Sequence, residues 1–188
     1  MVQEKQRQII IRALQDDDPE VCQAANLALE YLEACADMSA LRAALHSTDR
    51  RQRVAAVYKL GRIPAPEAGV LLQECLQDQD ADVRAVAVQM AGVRREKGAL
   101  SALVLCLKDS DSAVAVYAAQ ALARFDDKRL VPYLQAMCTS AVDELVCACL
   151  DTLGEIGDSA AIDAGIHAAA HPSPAVRLSA IRMLGRLC

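Results

Sequence analysis

The sequence predicts an all-α fold, an α-solenoid or superhelix in which six stacked two-helix repeats with a 31-residue period cover residues 1–188 as a single domain. Three observations lead to this prediction. Related residues recur at a constant step of 31 along the chain, apolar residues within each unit follow helical spacing, and residues that start helices hold the same place in successive units.

The second helix of each unit carries the clearest recurrence, in two columns that lie four residues apart within the unit. Residues at i and i+4 share one helical face, so we expect this apolar stripe to be buried, with its alanines at the closest helix contacts. The first column contains Ala25, Ala56, Ala87, Ala118, Cys149 and Ala180. The second contains Leu29, Leu60, Ala91, Leu122, Leu153 and Leu184.

The first helix of most units has a matching apolar column. It contains Ile10, Leu41, Leu72, Leu103 and Leu134. We expect these residues to face the second helices, because a two-helix unit must bury one stripe of each helix.

The sequence also predicts where the second helices begin and end. A column directly before each second helix holds residues whose side chains accept the free N–H groups of a first turn. It contains Asp18, Asp49, Asp80, Asp111 and Ser173. A glycine column lies near the far end, where we expect left-handed C-caps. It contains Gly61, Gly92, Gly154 and Gly185.

Composition narrows the class of protein. The net charge of −5 argues against a nucleic-acid partner, because phosphate neutralisation needs an excess of Lys and Arg. The chain opens with polar residues, and no apolar run approaches the ~18 residues of a membrane span. We therefore expect a cytoplasmic protein without a membrane partner.

Residues for catalysis or metal binding are sparse. His167 and His171 have a spacing that can bind metal on one helix face, but Pro172 follows directly and no third ligand is evident. The cysteines form no CxxC pair, and no glycine-rich phosphate loop occurs. The sequence predicts no catalytic residues, no metal and no cofactor.

The unit around Asp80-Ala81-Asp82-Val83-Arg84-Ala85-Val86-Ala87, followed by a Leu/Ala-Gly end, resembles the short HEAT repeat of the phycobilisome-lyase type. The resemblance covers essentially the whole chain. It implies that the second helices line a concave face, and that Asp/Arg pairs run along the turns. Here such pairs are complete only as Asp49 with Arg53 and Asp80 with Arg84, which we interpret as helix capping and helix-end pairing.

Columns opposite the buried stripe would then point into the concavity. They combine tyrosines with glutamines and charges of both signs, a mixture typical of protein-binding surfaces. The candidate binding residues are Tyr31, Tyr58, Arg62, Gln89, Tyr117, Gln120, Arg124, Asp151 and Arg182.

Three functions fit these observations. The first is a non-catalytic scaffold that binds another protein along the concave face. The second, which the resemblance alone implies, is a bilin lyase-like or pigment-handling protein of the phycobilisome type. The third is a HEAT-like DNA-binding protein, against which the charge balance argues. Apolar residues at both ends, such as Ile9 and Leu187, also predict self- or hetero-association through the end repeats.

Overall fold

A computed structural model of the protein describes the backbone of residues 2–36 and 38–187, with the side chains of residues 5–32 and 38–187. The twelve α-helices of the described residues pair into six hairpins, which confirms the predicted α-solenoid. They are α1 (Val2–Ala13), α2 (Pro19–Ala36), α3 (Met38–Leu45), α4 (Arg50–Leu60), α5 (Pro66–Cys75), α6 (Ala81–Arg94), α7 (Leu100–Cys106), α8 (Ser112–Ala123), α9 (Val131–Met137), α10 (Asp143–Ile156), α11 (Ile162–Ala168) and α12 (Pro174–Arg186).

The predicted stripes form the core. Ala87, Ala118 and Cys149 of the second helices are fully buried, as are Leu72 and Leu103 of the first helices. Small side chains in the middle of each stripe allow neighbouring helices to come close.

Caps follow the predicted column with one exception. Asp49, Asp80 and Asp111 each accept a hydrogen bond from a backbone N–H of the first turn of the helix that follows. Ser173 makes no such bond; instead its own backbone N–H donates to Nδ1 of His171 at 3.2 Å. The expectation of a serine side-chain cap was therefore wrong.

The expectation of left-handed caps at the glycine column was also wrong. Gly61 ends α4 in a right-handed conformation, and Gly92 lies inside α6. A Cβ added to Gly92 would lie 2.7 Å from the Cβ of Ala121 on the next second helix. This column therefore serves close helix contact. α6 ends at Arg94, and its C-cap residue Arg95 takes the left-handed conformation with a φ of 50°.

Second helices form the closely packed layer. From α4 to α12 each second helix packs extensively on the next. Short 3₁₀ turns instead precede α7, α9 and α11, at Lys97–Ala99, Lys128–Leu130 and Ser159–Ala161. The turns before α7 and α11 contact the first helix of the preceding repeat, α5 and α9. Because the second helices are closer together than the first helices, they lie on the inner side of the curve.

The first hairpin differs from the others. Its second helix, α2, has 18 residues and packs mainly against α1. Val21 on α2 is 38% exposed, whereas Val83 of α6 in the same column is fully buried. The constant sequence period therefore gives five second helices in close series, from α4 to α12, with a looser first repeat.

Candidate functional site

Arginine–aspartate pairs join neighbouring repeats and so fix the relative positions of the second helices that form the inner face. Arg84 binds Asp109 of the next repeat through two hydrogen bonds, from Nε at 2.8 Å and from Nη2 at 2.7 Å. Arg53 binds Asp78 in the same way, at 2.9 and 3.1 Å. The hydrogen bond from Arg84 holds the pKa of the Asp109 carboxyl below its usual value.

These contacts revise the predicted pairing along the turns. Asp49 and Asp80 cap helices as expected, but their helices' arginines bind an aspartate 25 residues further on, in the following repeat. The reach of a guanidinium across a helix junction explains the difference, since Arg53 also donates to the Ser47 carbonyl at 3.0 Å and bridges two repeats.

One groove on the inner face brings together four of the candidate binding residues. It lies between α6 and α8 and has a volume of about 270 Å³. We call it the α6–α8 groove; it is lined by Gln89, Met90, Val93, Tyr117, Gln120, Ala121 and Arg124. The two glutamines come from successive repeats, as their 31-residue separation requires.

The side chains of the α6–α8 groove offer several kinds of contact. Gln120 and Arg124 are exposed, whereas Gln89 and Tyr117 are half-buried. The amides can each donate and accept, the guanidinium binds carboxylates, and the tyrosine ring supplies apolar area. Such a groove suits a polypeptide with both polar and apolar side chains.

A second inner-face groove, between α4 and α6, contains Tyr58. It has a volume of about 510 Å³ and is mainly apolar at its surface. Its lining residues are Arg50, Arg51, Val54, Ala55, Tyr58, Lys59, Asp82 and Val86. Arg50 and Asp82 form an ion pair across this α4–α6 groove, and the Tyr58 ring is 53% exposed.

The remaining candidates lie outside both grooves. Tyr31 is exposed on α2 in the looser first repeat, and Arg62 is exposed just after α4. Asp151 is half-buried on α10, and Arg182 is exposed on α12. The nine residues are therefore spread along the second helices, and those of the third and fourth repeats converge.

Sequence reasoning missed apolar members of the site. Val93 is 55% exposed in the α6–α8 groove and stands in the same column as Arg62 and Arg124. Its position in the repeat could therefore have identified it from the sequence. Tyr133 lies outside the site: it is exposed on α9 in the outer layer, in a groove of about 560 Å³ with Leu105. Its position on a first helix removed it from the predicted concave set.

Where side chains are described, no three His, Cys, Asp or Glu side chains converge to hold a metal ion. Burial raises the pKa of the Cys75 thiol to about 12 and that of Cys106 to about 11, so both stay protonated at neutral pH. No helix of the described chain is long and apolar enough to cross a membrane.

Comparison with protein families identifies the class. The model of HEAT repeats matches residues 8–90 and 68–148, and this chain belongs to the HEAT-repeat family. No curated protein matches the chain significantly.

Solved structures agree with this assignment. A chain from the complex of CpcE and CpcF of phycocyanin lyase from Nostoc sp. PCC7120 is 27% identical, with a TM-score of 0.69 over 78% of this chain and 63% of that chain. Our chain therefore spans less than two thirds of that lyase chain. The designed armadillo repeat protein YIII(Dq)4CqI is similar in fold, with 20% identity and a TM-score of 0.57 over 95% of this chain and 98% of that chain.

Proposed function

We propose that this chain is a non-catalytic scaffold that binds another protein along the inner face formed by its second helices. The convergence of Gln89, Tyr117, Gln120 and Arg124 in the α6–α8 groove is the observation that carries the proposal. Tyrosine and arginine are enriched among residues that dominate protein-binding energy, and glutamine amides can pair with a peptide backbone.

The side chains that line the α6–α8 groove indicate which kind of partner segment would bind there. Exposed Arg124 favours a carboxylate, and the apolar surface of Val93 and Tyr117 favours an adjacent apolar side chain. The two glutamines stand one repeat apart and can contact successive parts of an extended chain. We therefore propose a partner segment that carries an acidic residue beside an apolar one.

Affinity capture from source-cell lysate tests the proposal, with the wild type beside a variant that combines Tyr117→Ala, Gln120→Ala and Arg124→Ala. Tyr133→Ala is the matched control, because Tyr133 is an exposed tyrosine in the outer layer. We expect a protein that the wild type and the control retain and the groove variant loses. Equal retention by all three, with equal helicity by circular dichroism, would exclude the inner groove as the binding surface.

A second candidate function rests on the 27% identity to the phycocyanin-lyase chain. It is a pigment-handling role, in which the chain binds a bilin or helps to attach one. Adding free bilin to the purified protein tests it: a shifted and strengthened visible absorption band, lost in the groove variant, would favour this role. An unchanged bilin spectrum at saturating protein would oppose it.

A further inference from the structure

Arginine and aspartate occur together across the repeat junctions of this chain. Arg53 binds Asp78, and Arg84 binds Asp109, each 25 residues later. Where the arginine column holds Cys22, Ala115 or Val146, the position 25 residues later holds no acid. Those positions are Ser47, Ser140 and His171. The pair is thus either complete or absent at every junction between described repeats.

Arg177 of the last described repeat makes only half of this arrangement. Its Nη1 donates to the carbonyls of His171 and Pro172 at 2.8 and 2.7 Å, as Nη1 of Arg53 donates to the Ser47 carbonyl. Among the described residues, no carboxylate meets its Nε or Nη2, the two atoms with which Arg53 and Arg84 hold the next repeat.

Asp16 in the first repeat is the counterpart of this arginine. Its Oδ1 accepts the backbone N–H of Asp18 at 3.0 Å, just as Oδ1 of Asp78 accepts that of Asp80 at 2.8 Å. The turn that presents Asp78 to Arg53 is therefore formed at Asp16 too. Within the described part of the chain, no arginine binds the Asp16 carboxylate.

Apolar exposure follows the same pattern at both ends. Ile181 of α12 is 60% exposed, whereas Val57, Val88, Ala119 and Leu150 in its column are all 0% exposed because the next second helix covers them. At the opposite end, Val21 is 38% exposed, whereas Val83, Val114 and Val176 in its column are all 0% exposed.

The room beside the glycine column of the second helices agrees with this pattern. A Cβ added to Gly61, Gly92 or Gly154 would meet the following second helix within 3.2 Å. At Gly185, in the same column, an added Cβ would meet nothing within 4 Å. The side of α12 that faces away from α10, which we call the α12 end face, thus has three features that contact the next repeat elsewhere in the chain. They are the small residue, the apolar residue and the arginine.

We propose that the α12 end face binds the first hairpin of a second copy of this chain, head to tail. In this contact Arg177 of one copy forms an ion pair with Asp16 of the other. Charge complementarity and the apolar exposure at both ends select this occupant over an unrelated protein. Such a contact joins two different surfaces, so it extends into rings or filaments unless the rotation closes early. The proposal concerns the end faces and is independent of partner binding in the inner groove.

Sedimentation velocity of the full chain, from ~1 µM to ~1 mM, tests the proposal. We expect the wild type to grow in mass with concentration, and Arg177→Glu and Asp16→Arg each to weaken this association at least ten-fold. An equimolar mixture of the two variants should recover it, because each end face then meets its opposite charge. Variants as helical as the wild type that associate unchanged, or a mixture that recovers nothing, would overturn the proposal.

Ile181→Asp provides a second test that leaves the ion pair intact. We expect it to weaken association at least ten-fold, while the control Leu105→Asp has no effect, because Leu105 is 72% exposed in the outer layer, away from both ends. A wild type that stays monomeric at ~1 mM would exclude self-docking, and equal effects of the two substitutions would exclude α12 as the surface.

Discussion

Arg84 donates hydrogen bonds to both carboxylate oxygens of Asp109, at 2.8 and 2.7 Å, although the two residues belong to different repeats. The side chains are only 13% and 10% exposed, so water screens this pair less than a surface ion pair. A bidentate pair of this kind sets the angle between two repeats as well as their distance.

Asp109→Asn should lower the free energy of unfolding by about 2 kcal/mol, because a charged guanidinium loses its carboxylate in a place with little water. Urea unfolding followed by circular dichroism measures the change. Arg50→Gln is the control: its ion pair with Asp82 also joins two repeats, but its side chain is 53% exposed, and we expect almost no loss. Equal losses in both variants would contradict this account.

The same pair predicts a pH dependence. The Arg84 hydrogen bond lowers the pKa of Asp109 in the folded protein, so the unfolded chain binds this proton more readily. The stabilisation is therefore complete above the ordinary carboxyl pKa and is lost as pH falls through the lowered one. Urea midpoints of the wild type and Asp109→Asn should converge between neutral pH and about pH 3. A gap that stays constant over this range would speak against the pair as its source.

Glycines of one column should respond in opposite directions to the same substitution. Gly92→Ala should lower stability by about 1 kcal/mol, because the overpacking against Ala121 exceeds the gain in helix propensity. Gly185→Ala should leave stability unchanged or raise it by a few tenths of a kcal/mol, since an added Cβ there meets nothing within 4 Å. Thermal unfolding of the two variants measures both changes, and a loss of similar size in each would refute the role of close contact.

Buried thiols should resist modification in the native protein. Burial raises the pKa of Cys75 to about 12 and that of Cys106 to about 11, and it raises the pKa of the fully buried Cys149 as well. We expect a thiol reagent at pH 8 to leave these residues unlabelled until urea unfolds the chain, as peptide mass spectrometry would show. Native labelling of Cys149 as fast as in urea would mean that α10 opens readily.

Sequence periodicity predicts the arrangement of repeats in this chain because each column must satisfy the same contact in every unit. Ala87 and Leu103 are buried as their columns require. Gln89 and Gln120, which share a column, line the same groove. These features depend on backbone spacing, which is constant from unit to unit.

Features that depend on contact between two repeats could not be predicted in the same way. The partner of Arg84 depends on where a long side chain reaches, and the nearby Asp80 is an equally charged candidate in the sequence. The role of Gly92 depends on the distance to α8, because glycine suits a left-handed cap and a close contact equally well. The looser packing of α2 leaves the sequence period unchanged.

Largely buried arginine–aspartate pairs occur at only some of the junctions. Arg53–Asp78 and Arg84–Asp109 join the second, third and fourth repeats, whereas Ala115 and Val146 leave the last two junctions without such a pair. Those last junctions have apolar contact and two hydrogen bonds instead: the Thr152 hydroxyl donates to the Ala119 carbonyl at 2.9 Å, and the Gln135 amide donates to the Ala160 carbonyl at 2.8 Å. Lys128 and Asp158 also pair across the last junction, but the Lys128 side chain is 72% exposed. The pKa of Asp109 is lowered by its bond to Arg84, so protonation of Asp109 weakens the junction between the third and fourth repeats. Since a repeat array opens where its nearest-neighbour coupling is weakest, acid should give the chain a direction of opening, with the amino-terminal repeats separating while the carboxyl-terminal repeats stay folded.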